Sequence, residues 1–292
     1  MLRYESVREL TEKAENTGKS IGELVLEDQA AQLNKSREEL YEEMKRNLNV
    51  MREAAEKGLN TERRSPSGLS GGAAFKMKKA VDEGRALDRF LGAALATALA
   101  VAEVNACMGR IVAAPTAGSC GILPAVLMTV AREKGLSEEE TVMGLFTAAG
   151  IGMVVAENAS ISGAEGGCQA ECGSASAMAS AAAVEMLGGT PAMAANACAI
   201  AFKNMLGLVC DPVAGLVEVP CIKRNAGGAA NAIAAAEMAL AGIESAIPVD
   251  EVIASMKAVG ESMPSSLRET AGGGLAATPT ARRFEEKNRL PL

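Results

Sequence analysis

The stretch FLGAALATALAVA, residues 90–102, decides the fold of this chain because it is apolar apart from one threonine and rich in alanine. Alanine favours helices, whereas strands are enriched in β-branched and aromatic residues. A second run of this kind, VMGLFTAAGIGMVVA, covers residues 142–156. Both runs are shorter than the roughly 20 apolar residues that span a membrane, so we expect buried helices and no membrane insertion. They predict an all-α fold with small residues at the contacts between helices.

The composition of the whole chain agrees with a globular protein built from small residues. Of 292 residues, 49% are hydrophobic and 22% are charged, whereas only 2% are aromatic and tryptophan is absent. The net charge of −7, without a basic stripe, argues against nucleic-acid binding. The first residues, MLRYESVREL, are charged and lack the apolar segment of a signal peptide, so we expect a cytoplasmic location.

The chain contains 7 cysteines and 0 histidines, and both counts restrict its chemistry. An odd number of cysteines without an export signal is typical of the reducing cytosol, where disulfides are not expected. Without histidine, the chain by itself cannot run Ser-His-Asp or Cys-His catalysis or bind a metal through imidazole. Acid–base chemistry would have to use lysine, glutamate, aspartate, cysteine, tyrosine, metal-bound water or a second chain.

The pattern of apolar residues predicts how the chain is organised. Residues 1–60 carry apolar side chains at spacings of three and four, which predicts amphipathic helices in a solvated layer. The serine-, proline- and glycine-rich stretch RRSPSGLSGG marks a loop at residues 63–72. Beyond it we predict seven helical segments: 73–107, 122–133, 137–156, 170–187, 191–206, 226–241 and 249–259.

The C-terminal part of the chain is harder to assign. The stretch SLRETAGGGLAATPTARR, residues 266–283, is glycine-rich and then basic. It is either a second binding loop or a frayed tail, and its composition favours the tail. We therefore predict one all-helical domain over residues 1–292, with the amphipathic layer at 1–60, a core at 61–276 and a tail at 277–292.

Four small, polar, glycine-rich loops interrupt the apolar helices. Glycine lets backbone N–H groups approach a ligand closely, and such loops suit a small carboxylate better than a nucleotide. None of them contains GxxxxGK[ST], and none is a GxGxxG sequence that follows a strand. Each is also explained as a plain connection between helices. The four loops are SPSGLSGG (65–72), APTAGSCGILP (114–124), ENASISGAEGGC (157–168) and CDPVAGLVEVPC (210–221).

The cysteines fall into two groups by their surroundings. Cys168, Cys210 and Cys221 lie at the edges of glycine- or proline-rich loops, where thiolates can converge on a soft metal centre. Zinc and an iron–sulfur cluster both take thiolate ligands, and the spacing does not decide between them. Cys172 follows Cys168 by four residues and can share a helix face with it. The other three are explained as small buried hydrophobes: Cys107, Cys120 and Cys198.

Four stretches in the same order resemble the iron–sulfur-dependent bacterial L-serine dehydratases, in particular the α chain of the two-subunit form. They are APTAGSCGILPAVL (114–127), NASISGAEGGCQAECG (158–173), CDPVAGLVEVPCIKRNA (210–226) and SLRETAGGGLA (266–276). The resemblance extends from about residue 65 to residue 276. It implies an all-helical catalytic domain, a role in amino-acid degradation and gluconeogenesis, a β chain that completes the enzyme, and a higher oligomer.

The resemblance also implies a cofactor and a reaction. A [4Fe–4S] cluster is held on the positions of Cys168, Cys210 and Cys221, and Cys172 lies outside the ligand set. The open iron acts as a Lewis acid in the β-elimination of water from L-serine, which gives pyruvate and ammonia. The loops would hold the carboxylate and ammonium of serine. The candidate contacts, each of which also suits a helix cap, are Ser65, Ser67, Thr116, Asn158, Ser160 and Ser162.

The residue that removes the Cα proton of serine is not fixed by these motifs. Lys76 and Glu165 are the predicted catalytic residues. Lys223, Arg224 and a group on the partner chain are alternatives. Three other functions stay open. They are cysteine desulfidation on the same scaffold, a non-catalytic helical subunit with structural zinc, and a pyridoxal phosphate enzyme, which requires a Schiff-base lysine.

Overall fold

A computed structural model describes residues 4–287, and these residues form an all-α fold, as predicted. Among them no β-strand forms, and only two isolated backbone bridges occur, Arg64 with Gly71 and Cys210 with Arg268. The helices are α1 (Val7–Thr17), α2 (Ile21–Leu33), α3 (Arg37–Asn60), α4 (Ala73–Asp82), α5 (Arg89–Ala106), α6 (Ile122–Lys134), α7 (Glu138–Asn158), α8 (Gly163–Gly166), α9 (Ser174–Met186), α10 (Pro191–Met205), α11 (Cys221–Leu240), α12 (Val249–Ser262) and α13 (Pro279–Lys287).

Helix α9 lies at the centre of the fold. Nine of the 13 residues of its sequence SASAMASAAAVEM are alanine or serine, and every residue from 174 to 184 is buried. It packs against α6, α7, α10 and α11. Side chains of this size let the backbones of neighbouring helices approach closely, which confirms that helix contacts are made by small residues. Ser176 compensates for its burial because its hydroxyl donates to the carbonyl oxygen of Gly228 at 3.0 Å.

The two apolar runs form α5 and α7, which are longer than the runs themselves. They have 18 and 21 residues, and by length and composition both are able to cross a membrane. The prediction that they are too short is therefore wrong. Burial is the stronger argument that both helices belong to the protein core, because 61% of the apolar window of α5 and 67% of that of α7 lie inside the protein. Helix α5 packs against α3, α4 and α11, and α7 packs against α2 and α9.

The N-terminal helices begin at serine caps and are attached to the central layer. Ser20 and Ser36 both form complete capping boxes with the glutamate three residues later. The carboxylate of Glu185, at the end of α9, accepts hydrogen bonds from the backbone N–H groups of Ile21 at 2.6 Å and Gly22 at 3.1 Å. Burial raises the pKa of Glu185. The division of the chain at residue 60 stays a prediction.

Three helical segments differ from their predicted bounds. The segment 73–107 is broken, because α4 ends at Asp82 and Gly84 adopts a left-handed backbone conformation with φ 68°. The segment 226–241 begins earlier, at Cys221, directly after Pro220. The segment 170–187 opens with a π-helical turn, Gln169–Gly173, before α9 begins. The last two differences place Cys221 and the residues after Cys168 on helical backbone.

Candidate functional site

The three cysteines singled out from the sequence lie on segments that are hydrogen-bonded to one another. Cys168 directly precedes the π-helical turn, Cys210 lies in the loop before α11, and Cys221 is the first residue of α11. Cys168 and Cys210 are both 3% exposed, and all three are free thiols. Burial and then the negative charge of Cys168 raise the pKa of Cys221 to about 12. Burial, the Glu171 carboxylate and Cys168 likewise raise the pKa of Cys210.

Cys172 lies beside Cys168 on the π-helical turn, and their sulfur atoms are 3.3 Å apart. The hydrogen bond from the Cys168–Cys172 contact and the charge of Arg224 lower the pKa of Cys168 against the effect of burial. The same contact and complete burial raise the pKa of Cys172.

Arg224 connects the segments of Cys210 and Cys221. It lies on the first turn of α11, three residues after Cys221, and its guanidinium donates to the carbonyl oxygen of Val209 at 2.7 Å. It forms an ion pair with Asp211, with 2.9 Å between Nη2 and Oδ1. The side chains of Arg224 and Asp211 are only 17% and 4% exposed. The positive charge of Arg224 is thus largely buried beside the Asp211 carboxylate.

Glu171 is a carboxylate at this centre that the sequence analysis missed. Its Oε1 accepts a hydrogen bond from the Thr116 hydroxyl at 2.7 Å, and its Oε2 lies 3.9 Å from the sulfur of Cys210. Burial raises the pKa of Glu171. The one signal in the sequence was its position three residues after Cys168, as a charged residue within the stretch GGCQAECG.

The first and fourth loops are joined through the buried carboxylate of Glu218. Ser67 donates to Glu218 Oε1 at 2.7 Å, and the hydroxyl of Ser70 donates to the other oxygen. The hydroxyls of Ser65 and Ser67 lie 3.0 Å apart. Both predicted serine contacts therefore have partners within the protein. Ser67 bonds to the loop between Cys210 and Cys221, and Ser65 bonds within its own loop.

The glycine-rich stretch near the C-terminus closes against Cys210. The N–H of Cys210 donates to the carbonyl oxygen of Leu267 at 2.8 Å, and the N–H of Glu269 donates to the carbonyl oxygen of Cys210 at 2.7 Å. The N–H of Leu275 donates to Asp211 Oδ2 at 2.7 Å. The expectation of a frayed tail is wrong for residues 266–278, because backbone hydrogen bonds hold this stretch in the site.

The remaining candidates lie at different distances from the thiols. Ser160 donates to Glu165 Oε2 at 2.6 Å and accepts from the N–H of Ser162, on the short segment that leads through α8 to Cys168. Asn158 instead donates to the carbonyl oxygens of Glu5 and Val154, and Lys76 is exposed on α4. The roles predicted for all of these residues stay predictions.

Gly163 marks how tightly the site is packed. A Cβ atom at this position would lie 2.8 Å from Glu171 Oε2 and 2.9 Å from Cys210 Sγ. We expect Gly163→Ala to lower the free energy of unfolding by about 1–3 kcal/mol, because overpacking displaces these groups. Gly227→Ala on α11 is the matched control, since a Cβ there meets nothing within 4 Å. Urea unfolding of the reduced, metal-free chain measures both, and equal losses in the two variants would contradict the packing argument.

The fold and the site together define an all-α protein with a thiol-rich centre between glycine-rich loops. The sequence profile of the family "Serine dehydratase alpha chain" matches residues 16–276 of this chain. The chain belongs to the serine dehydratase alpha-chain family.

Individual relatives agree with this family assignment. The chain is 52% identical over 285 residues to a probable L-serine dehydratase alpha chain of Bacillus subtilis, covering 97% of this chain and 95% of the relative. It is 44% identical over 280 residues to an L-serine dehydratase alpha chain of Peptoniphilus asaccharolyticus, covering 96% of both. An L-serine dehydratase of Escherichia coli is 40% identical over 94% of this chain, which spans 61% of that relative.

Proposed function

We propose that this chain is the α chain of an L-serine dehydratase, which eliminates water from L-serine and yields pyruvate and ammonia. The observation that carries the proposal is the match to the alpha-chain family over residues 16–276, in a chain whose Cys168, Cys210 and Cys221 lie on hydrogen-bonded segments. The names of the relatives from Bacillus subtilis and Peptoniphilus asaccharolyticus support the same activity.

The proposed cofactor is a [4Fe–4S] cluster held by these three cysteines. The donor set fits, because the three residues are free thiols on hydrogen-bonded segments and thiolates are the usual ligands of such a cluster. Among residues 4–287, no three side chains of histidine, cysteine, aspartate or glutamate converge closely enough to hold a metal ion. Zinc takes thiolate ligands as well, so analysis of iron, sulfide and zinc distinguishes the two. When bound, the cluster supplies a Lewis acid for the departing hydroxyl group.

The side chains of this chain orient serine and accept its proton in the proposed reaction. Thr116 holds Glu171 through a 2.7 Å hydrogen bond, so the carboxylate is fixed next to Cys210. Glu171 is therefore better placed to accept the Cα proton than Glu165 or Lys76, the residues proposed from the sequence. Proton removal from Cα and loss of hydroxide from Cβ give an aminoacrylate, which tautomerises to an imine that water hydrolyses.

The proposed partner is a β chain, and the α chain forms one catalytic domain within a larger assembly. This chain spans only 59% and 61% of the L-serine dehydratases of Streptomyces coelicolor and Escherichia coli. The additional length of those relatives supports a second unit that acts with the α chain. We place the enzyme in the cytoplasm, where it serves amino-acid degradation and gluconeogenesis.

Anaerobic purification with and without the β chain tests the proposal. We expect about four irons and four sulfides per α chain, as in a cubane cluster. We also expect pyruvate from L-serine, at a much higher rate when the β chain is present. If sulfide release from L-cysteine were faster than pyruvate formation from L-serine, a cysteine desulfidase would be favoured instead. Stoichiometric zinc without iron would favour the structural subunit.

A further inference from the structure

The three cysteine-bearing segments are separate in sequence and come from different elements. Cys168 follows α8, Cys210 lies in an irregular loop, and Cys221 begins α11. Ten residues lie between Cys210 and Cys221, and no hydrogen bond between their two thiols fixes the spacing. A site assembled from such segments needs an internal support that sets their relative positions before a cofactor arrives.

Arg224 contacts two of these segments. It is anchored to Cys221 through the first turn of α11, and it reaches the residues on either side of Cys210 through Val209 O and the Asp211 carboxylate. The planar guanidinium has five N–H donors in a fixed geometry, so one side chain serves several acceptors in defined directions.

Asp211 extends this support to the C-terminal loop. While Oδ1 pairs with Arg224, Oδ2 accepts the N–H of Leu275 at 2.7 Å. Gly274 makes the approach possible, because a Cβ at this position would lie 2.4 Å from Asp211 Oδ2. A buried ion pair that loses one partner leaves the other charge uncompensated, so the two residues depend on each other.

We propose that the Arg224–Asp211 ion pair is a positioning clamp that holds the segments of Cys210 and Cys221 and the C-terminal loop in register for the cofactor. The inference rests on the proposed function for the identity of the cofactor. The clamp itself is a property of the metal-free chain. Arg224 and Asp211 are positioning residues in this proposal, since they act through the cysteines.

Four variants test the clamp: Arg224→Gln, Arg224→Lys, Asp211→Asn and, as the control, Lys223→Gln. Lys223 is the exposed neighbour of Arg224 on α11, so its change removes the same charge without touching the thiols. In the metal-free chain, maleimide labelling followed by mass spectrometry reports how often each cysteine becomes accessible. We expect labelling of Cys210 and Cys221 to accelerate about tenfold or more in Arg224→Gln, because a broken buried pair favours local opening.

In the reconstituted chain, the same variants are compared by iron and sulfide content and by the spectrum of the reduced cluster. We expect Arg224→Gln and Asp211→Asn to lose most of their iron during desalting, Arg224→Lys to retain an intermediate amount, and Lys223→Gln to match the unchanged protein. If the Arg224→Gln variant showed the same labelling rates and the same iron content as the Lys223→Gln variant, the clamp proposal would be wrong. If circular dichroism shows that the Arg224→Gln variant does not fold, the labelling rates and iron content of Arg224→Lys and Asp211→Asn are compared with those of Lys223→Gln instead.

The proposed function and the proposed clamp can be disproved independently of each other. An unchanged protein that binds no iron after reconstitution would defeat the proposed function, and the labelling rates would still decide on the clamp. Normal iron content and serine turnover in every variant, together with unchanged labelling, would defeat the clamp and leave the function standing.

Discussion

Replacing Cys168, Cys210 or Cys221 by serine is expected to abolish retention of the iron–sulfur cluster and to lower turnover of L-serine about 10³-fold or more. A Lewis acid supplies several kcal/mol of stabilisation to a departing oxygen, and each 1.36 kcal/mol corresponds to a factor of ten in rate. Each of the three thiols is predicted to hold one corner of the cluster, so the loss is expected for each single variant. Iron and sulfide analysis and the rate of pyruvate formation measure the two effects.

Two other cysteines provide matched controls. Cys198 is completely buried in α10, where burial raises its pKa, and it lies outside the site. We expect Cys198→Ala to keep its iron and to lose only stability. Cys172→Ala tests whether the thiol 3.3 Å from Cys168 is a ligand, and we expect iron to be retained. Loss of iron in Cys172→Ala, together with retention in one of the other three variants, would show that the ligand set is misassigned.

Glu171→Gln is expected to lower kcat for L-serine about 10²-fold or more while the iron content stays unchanged, because a positioned general base typically contributes 10²–10⁴-fold. Glutamine keeps the size of the side chain and still accepts the hydrogen bond from Thr116. What it loses is the basic oxygen. Steady-state kinetics on the anaerobic two-chain enzyme, with iron measured on the same samples, separates loss of chemistry from loss of cofactor.

The same experiment decides between Glu171 and the residues predicted from the sequence. Glu165 is exposed and bonded to Ser160, and Lys76 is exposed on α4. We expect Glu165→Gln and Lys76→Gln to change kcat by less than Glu171→Gln does. A large loss in either of them with normal turnover in Glu171→Gln would restore the sequence-based assignment.

The fold class was predictable because two alanine-rich runs and a shortage of aromatic residues leave few alternatives to helix packing. The break between α4 and α5 was not predicted, although Gly84 sits where the chain turns. A single glycine in an alanine-rich segment is tolerated inside many helices, so it does not mark a boundary by itself. Tertiary packing decides whether the chain turns there.

The candidate site was likewise predictable from the sequence only in part. The edges of the glycine-rich loops singled out Cys168, Cys210 and Cys221, and the family resemblance supplied their proposed role. Neither source indicated that Glu171 approaches Cys210, because that contact joins residues 39 positions apart. The composition of residues 266–283 favours a tail because glycine-rich composition resembles disorder. Backbone hydrogen bonds to Cys210 and Asp211, which composition does not reveal, hold it in place.

The alanine and serine helix α9 has a consequence for how sequences of this family can change. Its side chains are already nearly as small as side chains can be, so almost any replacement enlarges them and pushes four surrounding helices outward at once. Few substitutions within α9 are therefore available for adaptation to new temperatures or substrates. It has to proceed through the outer helices and the loops, where a change in volume disturbs fewer neighbours.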